Sequence, residues 1–167
     1  MFTHILVPTD FSEPSDAALA YARVVAAKFG STLHLLHVIE SPLASGPLGA
    51  EVYVPDTPAA QRALYDNAIS FLAHRITPDD RARFDATSEI ITGVTARAIL
   101  DHARERGIDL IVMGTHGRSG MAHLLMGSVA ERIVRHASCP VLTVRSAGAA
   151  QPAFLDANAN LIPVDAA

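Results

Sequence analysis

Lysine is almost missing from this chain of 167 residues: Lys28 is the only one, and every other cationic side chain belongs to arginine. No Gly-x4-Gly-Lys-Ser/Thr element occurs, so that phosphate loop, with its lysine and its magnesium-holding hydroxyl, is excluded. Cysteine is as scarce. Cys139 stands alone, which rules out an internal disulfide framework and suits a reducing compartment. Placed before Pro140, it reads as a small buried residue. No apolar run approaches the ~20 residues that span a bilayer. Met1-Phe2-Thr3-His4 leads into its first apolar run without signal-peptide regions. A cytoplasmic protein with no membrane partner is expected. Net charge is also modest: −4 formally, with a pI near 6.0, gives no general reason to expect nucleic-acid binding.

Half the residues are hydrophobic and 18% are charged, which suits one globular domain able to bury most of its apolar surface. Apolar runs alternate with helical patterns. Ile5-Leu6-Val7 reads as a strand ended by Pro8, and Pro8 to Ser12 as the turn after it. Ala18, Ala22, Val25 and Phe29 then recur at helical spacing up to Gly30. Thr32 to Ile39 is a second strand, whose His34 and His37 point to opposite faces and so do not share a metal. Residues 40–58 carry four prolines and form a long connection. A helix with Leu64, Ala68, Phe71 and Leu72 on one face ends at Thr77-Pro78-Asp79-Asp80. Phe84 to Ile91 alternates polar and apolar residues, as an edge strand does. A helix between Gly93 and Gly107, a strand over Ile108–Met113, a helix from Gly127-Ser128 and a strand over 140–144 complete the core. Residues 146–167 read as a tail.

Nearly all-apolar strands alternating with helices predict an α/β fold: a doubly wound, five-stranded parallel sheet with helices on both faces. Right-handed crossovers with one reversal give the order 3-2-1-4-5. The loops after strands one and four then meet at the reversal, where such sheets bind ligands. One loop is Pro8-Thr9-Asp10. The other holds Gly114, Gly117 and Gly127-Ser128, glycines that let a ligand approach the backbone beside a helix N-terminus suited to phosphate.

Val7-Pro8-Thr9-Asp10-Phe11-Ser12, Gly93 with Ala96 and Ile99, Gly-x2-Gly-x9-Gly-Ser, and the closing Ser138 to Arg145 together resemble the universal stress protein family over about residues 2 to 145. The resemblance implies an adenine nucleotide alpha hydrolase-like domain over 1–145 and, with the glycine motif present, ATP binding. It implies that Asp10 meets the adenosine, with Pro8 and Thr9 shaping the adenine pocket and Val38 packing on the base. Met113 and Gly114 would line base and ribose, and His116 and Gly117 approach ribose and phosphates. Gly127, Ser128 and Val129 would hold phosphates through backbone N–H groups. It also implies a homodimer paired through strand 140–145, whose apolar edge offers unpaired backbone groups.

Other readings of the same residues stand beside these. Ser128 with Glu131 is also a capping box, Asp10 is placed to cap the first helix, and Met113 suits a core side chain. His116 fits a loop histidine, a phosphate partner or a proton carrier, and Arg118 a triphosphate partner or an exposed charge. The function expected is a regulatory or stress-response factor that binds ATP, with or without magnesium, or else AMP or ADP, and signals by occupancy. The alternatives are a weak ATPase using His116 or Asp10, and an interaction module whose site stays empty.

Overall fold

The computed structural model describes residues 1–40, 57–116 and 126–145. The expectations for most of the long connection, for Gly117 and Arg118, and for the tail fall outside those residues. Five strands form one parallel sheet: β1 (His4–Thr9), β2 (Thr32–Glu40), β3 (Thr87–Gly93), β4 (Leu110–Gly114) and β5 (Val141–Val144). Their spatial order is β3-β2-β1-β4-β5, as the alternation predicted, with β3 and β5 at the two edges.

Successive strand residues face opposite sides, which sorts the apolar runs into two cores. Ile5, Val7, Leu33, Leu35 and Val112 pack beneath α1 (Glu13–Phe29), α2 (Pro58–Arg75) and α3 (Pro78–Phe84). Leu6, Leu36, Ile111 and Met113 pack beneath α4 (Thr95–Glu105) and α5 (Ser128–His136). Each fully buried Leu, Ile or Val contributes about 1.5–3 kcal/mol relative to exposure. Ala18, Ala22 and Ala26, four apart on α1, are all fully buried and let that helix lie close to the sheet. Gly30 ends α1 in the left-handed conformation (φ 69°), its N–H donating to Ala26 O at 2.9 Å.

The structure departs from the sequence reading in four places. β1 runs through Pro8 and Thr9 rather than stopping before them. Its ladder with β4 covers only Ile5 and Leu6, so Pro8 lies beyond the paired stretch and that ladder loses no donor there. Thr77 to Asp80 does not merely end a helix; it starts α3, with Thr77 and Asp80 forming a reciprocal capping box. Phe84 therefore closes α3 as a buried core residue, and β3 begins three residues later. On α2 only Ala68 and Leu72 are buried, while Leu64 and Phe71 stay about half exposed.

One buried charge ties this side together. Arg23 donates Nε and Nη2 to the Asp80 carboxylate at 2.7 and 2.8 Å. Burial alone would raise the Asp80 pKa, but Arg23 and the Thr77 N–H and hydroxyl hold it down to about 2.

Candidate nucleotide site at the sheet reversal

Beyond the short β1–β4 ladder, Pro8-Thr9 and Met113-Gly114 continue as neighbouring strand ends, and the Asp10–Ser12 turn and the start of α5, tied to Thr115 through the Gly127 N–H, stand as two walls at the reversal of the sheet. The first wall is saturated by its own hydrogen bonds. Asp10 Oδ1 accepts from the Ser12 N–H at 3.1 Å and from the Ser12 hydroxyl. It thus caps a two-residue turn instead of α1, whose N-cap is Ser12 with no side-chain cap. Thr9 is buried, its Oγ1 lying 3.0 Å from Ser15 Oγ and accepting the Phe11 N–H at 3.0 Å. Pro8 is buried in the strand. Phe11 carries a left-handed φ of 67°, a conformation unusual for a bulky residue.

The second wall is open. α5 begins at Ser128 with Gly127 as N-cap, and among the described residues no side chain caps it. The N-cap is Gly127 and Glu131 pairs with Arg135 at 2.7 Å, so the alternative capping box of Ser128 with Glu131 does not form. The first-turn N–H groups therefore keep the positive end that favours an anion. Gly127 N–H donates to Thr115 O at 2.8 Å, which leaves the Ser128, Val129 and Ala130 N–H groups of that set without a backbone acceptor among the described residues. A cavity of about 120 Å³ adjoins them, lined also by Glu40, Val94, Thr95 and Arg132. A larger groove of about 400 Å³ lies elsewhere, between α2 and edge strand β3, away from both walls.

The two described glycines of the motif differ in what requires them. A Cβ on Gly114 would lie 2.9 Å from the Pro14 backbone carbon and from Pro14 Cβ, so α1 itself demands glycine there. A Cβ on Gly127 would meet only ordinary contacts, 3.4 Å to Thr115 O and 3.7 Å to His116 Cα, and its φ of −74° suits any residue. Among the described residues nothing explains that glycine.

Met113 and Val38 are buried in the core beneath α4 and α5, so Met113 is a core side chain. His116 is half-buried with Nδ1 3.0 Å from Thr115 Oγ1. Cys139 packs half-buried on the same core, and burial, with Asp109 nearby, raises its thiol pKa and keeps it protonated.

Comparison with known proteins fixes the family. The profile described as "Universal stress protein family" matches residues 1–145. The chain belongs to that family. It is 32% identical over 148 residues to the Bacillus subtilis universal stress protein YxiE, covering 87% of this chain and all of that one. Among solved structures, UspA from Lactobacillus plantarum superposes with a TM-score of 0.67 at 27% identity, over 86% of this chain and 98% of that one. A universal stress protein from Archaeoglobus fulgidus in complex with dAMP has a TM-score of 0.55 at 20% identity, over 86% and 98% of the two chains, a likeness of fold. As a universal stress protein domain the chain has Gly114, at the end of β4, and the Asp10 turn, after β1, on neighbouring strands of the predicted order. His37 and Arg75, which flank the Asp10 loop, were not signalled by any motif, and Phe11 stood in the strand-one motif with no role of its own. Among the described residues no helix is long and apolar enough to cross a membrane.

Proposed function

We propose that this universal stress protein binds ATP at the β1–β4 crevice and acts as a regulatory or stress-response factor that signals by occupancy. The observation that carries the reading is Gly127, at the start of α5: among the described residues no packing or backbone constraint requires a glycine there and no side chain caps the helix. Absence of a Cβ there permits close approach by a ligand, and the free N–H groups of Ser128 and Val129 suit phosphate oxygens. In this reading the adenosine lies against Pro8, Thr9, Asp10 and Val38, with Met113 and Gly114 beneath the ribose. Buried Thr9, Val38 and Met113 then shape the pocket from behind. His116, Gly117 and Arg118 belong to the phosphate side, and magnesium accompanies the triphosphate. AMP and ADP occupy the same place with fewer phosphate contacts.

Equilibrium titration separates the parts. ATP is expected to bind at micromolar concentration and adenosine more weakly. No ATP binding up to the high-micromolar range would overturn the proposal. We also propose that the chain is cytoplasmic and pairs as a homodimer along β5, an edge strand that exposes Leu142. Light scattering that finds a monomer at micromolar concentration would refute the pairing.

A further inference from the structure

The loop after β1 contains a backbone conformation that its residue type disfavours. Phe11 has a φ of 67°, in the left-handed region, where a bulky residue costs on the order of 1–3 kcal/mol. Glycine would make the same turn without strain. A strained residue persists only where its surroundings hold it, and here they can be named. The Phe11 ring stacks on His37, with centroids 4.3 Å apart and planes 30° apart, and lies 5.1 Å from the Phe71 ring. The Arg75 guanidinium sits over the ring, Cζ 5.0 Å from its centroid, and donates Nη2 to Phe11 O at 3.2 Å. Asp16 fixes that guanidinium by accepting Nε at 2.6 Å and Nη2 at 3.0 Å. His37 is anchored in turn, Nδ1 donating to Thr9 O at 2.8 Å.

The residues flanking Phe11 are pinned too: Thr9 through its hydroxyl and carbonyl, and Asp10 through Ser12. A loop that only joined β1 to α1 would gain from glycine. This one spends a stack, an arginine fork and two side-chain hydrogen bonds to keep phenylalanine strained beside Asp10. We infer that Phe11 is a strained clamp that presets the Asp10 loop for adenosine, with His37 and Arg75 as the positioning residues that hold it. The inference rests on the nucleotide reading above. It adds that α2, through Phe71 and Arg75, is mechanically linked to the site: ordering Arg75 orders Asp10. Binding energy is then not used to organise the loop, because folding has already done so.

Three variants of the full chain test this: Phe11→Ala, Phe11→Gly and Arg75→Lys, each measured for thermal midpoint without ligand and for ATP affinity by titration. Phe11→Ala keeps the strain and loses the clamp, so both quantities fall. Phe11→Gly loses the clamp and the strain together. Its midpoint is expected above that of Phe11→Ala, while its ATP affinity stays roughly tenfold below the unaltered protein, equivalent to about 1.4 kcal/mol. Arg75→Lys keeps the charge without the fork and is expected to bind roughly threefold more weakly. If Phe11→Ala does not fold, Phe11→Gly and Arg75→Lys carry the test. Phe11→Gly or Arg75→Lys binding ATP as tightly as the unaltered protein overturns the clamp and leaves the nucleotide reading intact. A midpoint for Phe11→Gly no higher than for Phe11→Ala overturns the strain. Failure of the unaltered protein to bind overturns the nucleotide reading and the clamp with it.

Discussion

The two walls of the crevice are built on opposite plans. After β1, the polar groups of Thr9, Asp10, Ser12 and Ser15 bond to one another, and Phe11 is clamped from α2. At the start of α5, no side chain among the described residues reaches back to the helix end, and Glu131 turns to Arg135. A closed wall is a shape; an open wall is a set of waiting donors. The contrast suggests a division of labour in which the first side fixes where the nucleoside lies and the second side binds its charge.

The motif glycines sharpen that contrast into a pair of substitutions with opposite outcomes. Gly114→Ala places a methyl 2.9 Å from Pro14 and must move α1 or β4. It is expected to cost about 1–3 kcal/mol of stability, read as a lower denaturation midpoint at unchanged denaturant slope. Gly127→Ala is expected to leave stability within about 0.5 kcal/mol, because its Cβ meets only ordinary contacts. Its ATP affinity should nevertheless fall roughly tenfold by titration, about 1.4 kcal/mol. A large stability loss in Gly127→Ala would show that packing, not ligand, requires that glycine.

Ser128→Asp sharpens the same comparison at the next residue. A carboxylate in the first turn of α5 favours the helix dipole by about 0.3–1 kcal/mol, so the thermal midpoint should hold or rise. The same charge should repel phosphate and weaken ATP more than it weakens adenosine. A matched loss for both ligands would place the phosphates elsewhere.

The smallest expected effect lies away from both walls and serves as a control. Burial lowers the pKa of His34, helped by His4 and Arg106 and opposed by Glu89, and burial lowers that of His102. His34 also lies against His4, ring nitrogens 3.3 Å apart, and against Thr87. A depressed folded pKa means that the unfolded chain takes up protons first. Stability is therefore full above the ordinary histidine value of 6.5 and declines as pH falls through it. The thermal midpoint should drop between pH 7.5 and 5.5 and drop less in His34→Gln. Little change in the same range for Gly127→Ala relative to the unaltered protein would show that the control is independent of the site.

Much of this arrangement was legible in the sequence, for identifiable reasons. Apolar strand runs and alanine spacing on α1 encode burial directly, so the sheet order and the crevice followed from alternation and handedness. The start of α3 was written in Thr77-Pro78-Asp79-Asp80 as well, since a cap, a first-turn proline and an acid three residues on are a helix start; the prolines and acids were read as a stop instead. The face of α2 was misjudged because Leu64 and Phe71 have the spacing of a buried stripe, and only tertiary packing decides which side of a helix is covered. Two features had no local signal. The need for Gly114 comes from Pro14, a hundred residues away in the chain, and the left-handed Phe11 comes from rings and a guanidinium supplied by β2 and α2. Tertiary contacts of this kind leave no periodicity to read.

The central claim is that phosphate meets the open start of α5, and backbone amide chemical shifts of the full chain test it most directly. Addition of ATP should move the Ser128 and Val129 N–H resonances, while adenosine should move those of the β1 loop and leave Ser128 and Val129 nearly still. Equal shifts at Ser128 and Val129 with both ligands, or ATP shifts confined to the groove beside Tyr65 and Ile69, would contradict it.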